Sequence, residues 1–184
     1  MKKLLLLATL LLGACSLDDA RREIDIQLYP NYTPAYIMFA FEQGDVIVEV
    51  NGQNKLAQRL LELVQQGYYN GSSIYNTVPG RMVQFGEAYW QGGSSPRIMA
   101  GFPPRPTREL KGNNVALPVL ARPTPDTIIV GPQVIIASNF AVSAAQVGHD
   151  VVPIGKVVQG EEFMKKAVKG DKIISAAIGQ NIAK

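Results

Sequence analysis

The 184-residue chain has one cysteine, one histidine and one tryptophan. A lone cysteine, Cys15, excludes a disulfide within the chain. With His149 as the sole histidine, neither a catalytic Cys–His pair nor a His-rich metal site can be assembled, and no metal is expected. A Ser-His-Asp arrangement would need His149 and Asp150, and the Gly-x-Ser-x-Gly turn that exposes such a serine is missing. Phosphate loops and Gly-x-Gly-x-x-Gly are absent too, so no cofactor is expected. The formal net charge is only +3, and no Lys/Arg stripe interleaved with aromatics marks a nucleic-acid surface. The leading apolar run, 4–12, is nine residues long. A membrane-spanning helix needs roughly 20.

That short run follows Met1-Lys2-Lys3 and precedes Leu12-Gly13-Ala14-Cys15. A basic start, a short apolar stretch and small residues together read as a signal peptide over 1–14. The last four residues resemble the lipobox of bacterial lipoproteins. That resemblance implies that Cys15 carries a diacylglycerol and becomes the new N-terminus; a plain signal peptide beside an incidental cysteine is the alternative. Acyl chains contribute about 0.8 kcal/mol per buried methylene, so two or three of them anchor a protein durably to a lipid bilayer. The expected location is therefore the bacterial cell envelope, lipid-anchored and facing the periplasm. Ser16 in place of Asp favours the outer membrane. Losing Lys2 and Lys3 takes the net charge from +3 to +1. Residues 15–33 are expected to be the lipidated cysteine and a polar tether. Within it Ile24, Ile26 and Leu28 alternate with Asp25 and Gln27, which suits a short edge strand as well as an extended linker.

About 170 mature residues suffice for one domain with a proper core, here 34–180, with 181–184 as a tail. Residues 36–41 and 46–50, joined by Glu42-Gln43-Gly44-Asp45, predict a β-hairpin. Asn54 then caps a helix to about Gln66, with Leu56, Leu60, Leu63 and Val64 on one apolar stripe and Gly67 ending it. Residues 73–78 and 81–85 predict a second hairpin around Pro79-Gly80. From 88 to 126 the chain reads as Gly- and Pro-rich loop. Its Arg97, Arg105, Arg108 and Lys111 suit either solvated charge or a docking patch. Residues 127–130 and 134–137 read as buried strands, 161–169 as a second helix stopped by Gly170, and 172–178 as a closing strand.

The second hairpin lies in Gly67-Tyr68-Tyr69-Asn70-Gly71 … Pro79-Gly80-Arg81-Met82-Val83-Gln84-Phe85-Gly86. This segment resembles the signature of the cyclophilin-type peptidyl-prolyl isomerases. Gly44-Asp45-Val46-Ile47-Val48-Glu49-Val50 is similar to that family's opening strand, with the following loop shorter by about two residues. Gly131-Pro132-Gln133-Val134-Ile135-Ile136 and residues 151–160 resemble later family segments, so the likeness spans about 35–179. It implies a mainly β fold: a closed, eight-stranded antiparallel β-barrel capped by two α-helices.

The resemblance also implies a site. In the family an arginine donates to the prolyl nitrogen as the amide twists, aromatics seat the proline ring, and glutamines hold the peptide. Here Asn76 stands at the arginine position and Arg81 at a pocket phenylalanine. Met82 and Ile135 stand at pocket positions, and Gln84 and Gln133 at the peptide-holding ones. Asn is shorter than Arg and lacks its charged fork. Arg81 reaching across the hairpin to replace it is an alternative. The family Trp is unmatched, and His149 falls near the family His or is an exposed loop residue. Two functions follow. One is a cyclophilin-like domain with a degenerate site, binding extended or Pro-containing peptide segments or serving as a structural subunit of a membrane protein complex. The other is a slow isomerase acting as a periplasmic folding factor.

Overall fold

The computed structural model describes residues 32–86, 98–101, 106–138 and 141–179. The signal peptide, Cys15, the candidate edge strand at 24–28, Arg97, Arg105 and the tail at 181–184 lie outside them.

Strands β1 (Pro34–Phe41) and β2 (Gly44–Asn51) form the first hairpin, with Phe41 opposite Gly44. Helix α1 (Lys55–Gln65) starts where the Asn54 side-chain oxygen accepts from the Leu56 amide at 2.8 Å. It ends in a Schellman turn, with Tyr68 N donating to Leu63 O and Gly67 N to Val64 O. Gly67 takes φ +67°, the left-handed geometry that glycine adopts without a Cβ penalty. The stripe Leu56, Leu60, Leu63 and Val64 is buried as its spacing requires.

Next come β3 (Asn76–Val78), β4 (Met82–Phe85), β5 (Ile98–Gly101), β6 (Glu109–Leu110) and β7 (Asn114–Thr124). Then follow β8 (Thr127–Val130), β9 (Val134–Ala137), β10 (Val142–Ser143) and a four-residue helix α2 (Ala144–Val147). The chain closes with β11 (Val151–Gln159), a 3-10 turn (Glu161–Lys165) and β12 (Ile173–Gly179).

The main sheet is ten-stranded and antiparallel, along the path β12-β1-β2-β11-β7-β9-β4-β3, with β8 and β5 branching from β7. Strands β6 and β10 make a separate two-stranded ribbon. The fold is mainly β, but the expected closed eight-stranded barrel is corrected: the sheet is an open, curled half-barrel. The end strands β12 and β3 do not pair. Only three residues before the Pro-Gly turn remain for β3, because the chain from Tyr69 to Ser72 is occupied by turns. Across the gap, Gly71 N donates to Ile173 O and Ile74 N to Asp171 O.

Two further expectations are corrected. The loop predicted over 88–126 contains β5, β6 and the long β7. Val151 of β11 lies opposite Pro118, but on the other side of β7 the strand β9 pairs only with 114–116 and β8 only from Val119, so the missing Pro118 N–H falls between those two partners. The helix expected over 161–169 is a 3-10 turn of five residues. Packing decides its shape: Phe163 stacks on Phe41 with ring centroids 4.3 Å apart, and Met164 and Ala167 are buried with it.

The core lies between α1 and the concave face of the sheet, around Phe39, Phe41, Tyr69, Phe85 and Phe163. Alternation along the strands sends Val83, Phe85, Val134 and Ile136 into it. Met82, Gln84 and Ile135 project to the other face.

Candidate functional site

That other face carries a groove of about 300 Å³ lined by Tyr75, Asn76, Gln84, Pro118, Leu120, Gln133, Val147 and His149. Pairing of β3 with β4 puts Asn76 opposite Gln84, and pairing of β4 with β9 puts Gln84 opposite Ile135, two residues from Gln133. Three of the residues singled out from the sequence, Asn76, Gln84 and Gln133, therefore converge on one concavity.

Two buttresses hold the floor. The buried Tyr69 hydroxyl donates to Pro132 O at 2.8 Å. Gly86, at φ +93°, lets the Gly131–Gln133 bend approach so closely that a Cβ there would lie 2.8 Å from Pro132 O. Gln133 itself is buried, and its side-chain oxygen is enclosed without a hydrogen-bond partner.

The Asn76 amide is engaged twice. Its nitrogen donates to the Gln84 side-chain oxygen at 3.2 Å and to the backbone oxygen of Gln146, in α2, at 3.1 Å. A carboxamide nitrogen carries two N–H groups, so both are taken within the protein. The buried Gln84 side chain also hydrogen-bonds Tyr75, whose hydroxyl is held well above its ordinary pKa, mainly by burial.

The remaining candidates are elsewhere. Met82 and Ile135 have no exposed surface; they belong to an apolar cluster with Leu110, Ala116, Ala137, Val142, Val147 and Val151. Arg81 is exposed in the turn and does not line the groove. The turn has three residues, Pro79, Gly80 and Arg81, between the paired Val78 and Met82, one more than the sequence suggested. That extra residue shifts the register, so Asn76 faces Gln84 and not the Arg81 end of the hairpin. His149 is exposed at the rim while lining the groove, and Asp150 beside it pairs with Arg122 at 2.5 Å and Arg108 at 3.7 Å.

Sequence reasoning missed Tyr75, Pro118, Leu120 and Val147. Pro118 and Leu120 were hidden because β7 reads as proline-rich loop, and Val147 because a four-residue helix has no periodic signal. Chemically the groove offers carboxamides, a hydroxyl and aliphatic walls. It suits hydrogen bonding to a neutral main chain, with no carboxylate among its lining residues for proton transfer. Among the described residues, no group of three or more His, Cys, Asp or Glu could hold a metal ion.

The family profile described as cyclophilin type peptidyl-prolyl cis-trans isomerase matches residues 36–178. No curated protein matches in sequence. Among solved structures, the chain is similar to a cyclophilin type peptidyl-prolyl cis-trans isomerase of Cryptosporidium parvum. The form crystallised in the presence of the dipeptide Ala-Pro gives 19% identity and a TM-score of 0.58, covering 79% of this chain and 99% of that one. A second structure of that protein gives 18% identity and a TM-score of 0.60, covering 81% of this chain and 99% of that one.

Proposed function

The chain belongs to the cyclophilin type peptidyl-prolyl cis-trans isomerase family, and on that premise we propose that it is a peptide- or protein-binding member with a degenerate catalytic site. One observation carries the reading: both N–H groups of Asn76 are held by Gln84 and Gln146. Isomerisation crosses a barrier of about 18–20 kcal/mol set by amide resonance. A donor aimed at the prolyl nitrogen lowers it, and loss of one preorganised donor typically costs about 10²–10³ in rate. Asn76 has no N–H left for that task, while Gln84 and Gln133 remain to hold a peptide.

The residues before Cys15 support a lipid anchor and an envelope location, with the domain serving as a binding or structural subunit there. Cys15→Ser in the full chain should move it from the membrane to the soluble fraction; unchanged fractionation would remove this part of the reading.

The second reading is a slow peptidyl-prolyl isomerase acting as a periplasmic folding factor. It is favoured by the retained groove and by a structural neighbour crystallised with Ala-Pro. A protease-coupled isomerisation assay on the purified chain separates the two. The first reading expects a rate at least about 100-fold below an ordinary cyclophilin; a rate within about tenfold would overturn it.

A further inference from the structure

We infer that the groove takes the extended main chain of a partner and is indifferent to proline in it, with Val147 as the specificity-determining residue and Asn76 as the residue that positions it. This rests on the reading of the groove as a peptide site. A proline ring needs an open apolar seat. The apolar candidates, Met82 and Ile135, are 0% exposed, and the space beside them is filled by Leu110, Val142 and Val147 of the same chain.

Those three filling side chains come from the small ribbon and α2, a unit tied down at several points. Val142 pairs with Leu110, and Ala144 N donates to Arg108 O at 2.7 Å. Ser143 and Gln146 form a capping box, and Gly148 ends α2 at φ +87°. The bond from Asn76 to Gln146 O joins β3 to α2 and so holds Val147 at the groove wall. The residue at the family arginine position thus works as a latch on the element that fills the seat. What stays open presents the polar Tyr75, Gln84, Gln133 and rim His149 between the aliphatic walls of Pro118 and Leu120. The Gln133 side-chain oxygen, which has no partner, gains from a donor, and main-chain N–H groups supply one whatever the side chains.

The test is an NMR titration of the full chain with the hexapeptides Gly-Ala-Ala-Pro-Ala-Gly and Gly-Ala-Ala-Ala-Ala-Gly. The side-chain amides of Gln84 and Gln133 are followed. Both peptides should shift these signals, with dissociation constants within about twofold of each other, less than a filled or emptied methyl pocket usually discriminates. Val147→Ala should open the seat and bring a preference for the proline peptide of about fivefold or more. Asn76→Ala should speed amide exchange across 144–148 by about tenfold or more while leaving β9 protected, because one tie of α2 is cut. A proline preference of about fivefold or more in the unaltered chain would overturn the inference and leave the peptide-binding reading standing. Failure of both peptides to shift either glutamine would overturn the peptide-binding reading itself. If Asn76→Ala does not fold, the Val147→Ala comparison decides alone.

Discussion

The Tyr69 hydroxyl donates to the carbonyl oxygen of Pro132 at 2.8 Å, joining residues 63 apart in the chain. Tyr69 leaves α1 and packs edge-on against Phe39, Phe85 and Tyr68. Pro132 precedes the glutamine in the groove floor. A residue fixed by the aromatic core therefore sets the position of a residue that lines the groove. Tyr69→Phe keeps the ring and removes the bond, stranding a buried carbonyl. The expected loss is about 1–3 kcal/mol in urea unfolding, with smaller peptide-induced shifts at Gln133.

Gly86→Ala attacks the same support from the other side. The new Cβ would lie 2.8 Å from Pro132 O and 3.1 Å from the Gln133 Cα, on a residue at φ +93°. Backbone rather than a flexible side chain must yield. Destabilisation of about 1–3 kcal/mol or more is expected. Gly71→Ala, also at positive φ but with open space around the added carbon, should cost less. Paired denaturation curves check the order.

Stability should fall in alkali. Burial raises the pKa of both Tyr69 and Tyr75 above the ordinary 10.0, so the folded state holds these protons more tightly than the unfolded one. The contribution is fully present below pH 10.0 and is lost progressively above it, as the unfolded chain ionises first. Urea midpoints should be flat in this term from pH 8 to 9.5 and drop by pH 11, about the upper end of a practical titration. In Tyr75→Phe the drop should be shallower.

Placing an arginine at 76, where the resemblance puts the family's, should not bring an ordinary cyclophilin rate. Asn76→Arg supplies a guanidinium but breaks the bond to Gln146 O, and it leaves Met82 and Ile135 covered. The expected isomerisation rate stays at least about tenfold below an ordinary cyclophilin in the protease-coupled assay. The double variant with Val147→Ala should exceed either single one, since donor and ring seat are then both supplied.

Much of this architecture was legible in residue order because its causes are local. The stripe from Leu56 to Val64 predicts one buried helix face, and Asn54 and Gly67 mark its ends through capping chemistry acting within a few residues. The apolar runs 127–130 and 134–137 were legible as buried strands for the same reason. Less legible were elements without a local signature. β7 contains two prolines and becomes a strand because its neighbours leave Pro118 without a required donor. The 3-10 turn takes the place of an expected helix because Phe163 is recruited onto Phe41.

The sequence by itself determined the first hairpin, α1 with its two ends, the hairpin around Pro79-Gly80 and the family. Through the resemblance it also suggested that Asn76 stands where the family has arginine. Only the tertiary structure decided what Asn76 does, because its second acceptor lies 70 residues away on a helix too short to read from residue order. It likewise decided that Met82 and Ile135 are closed off, since a strand's period tells which way a side chain points but not what covers it. Hydrogen-bond partnership and burial are set by distant segments meeting in space, and there the groove's character was settled.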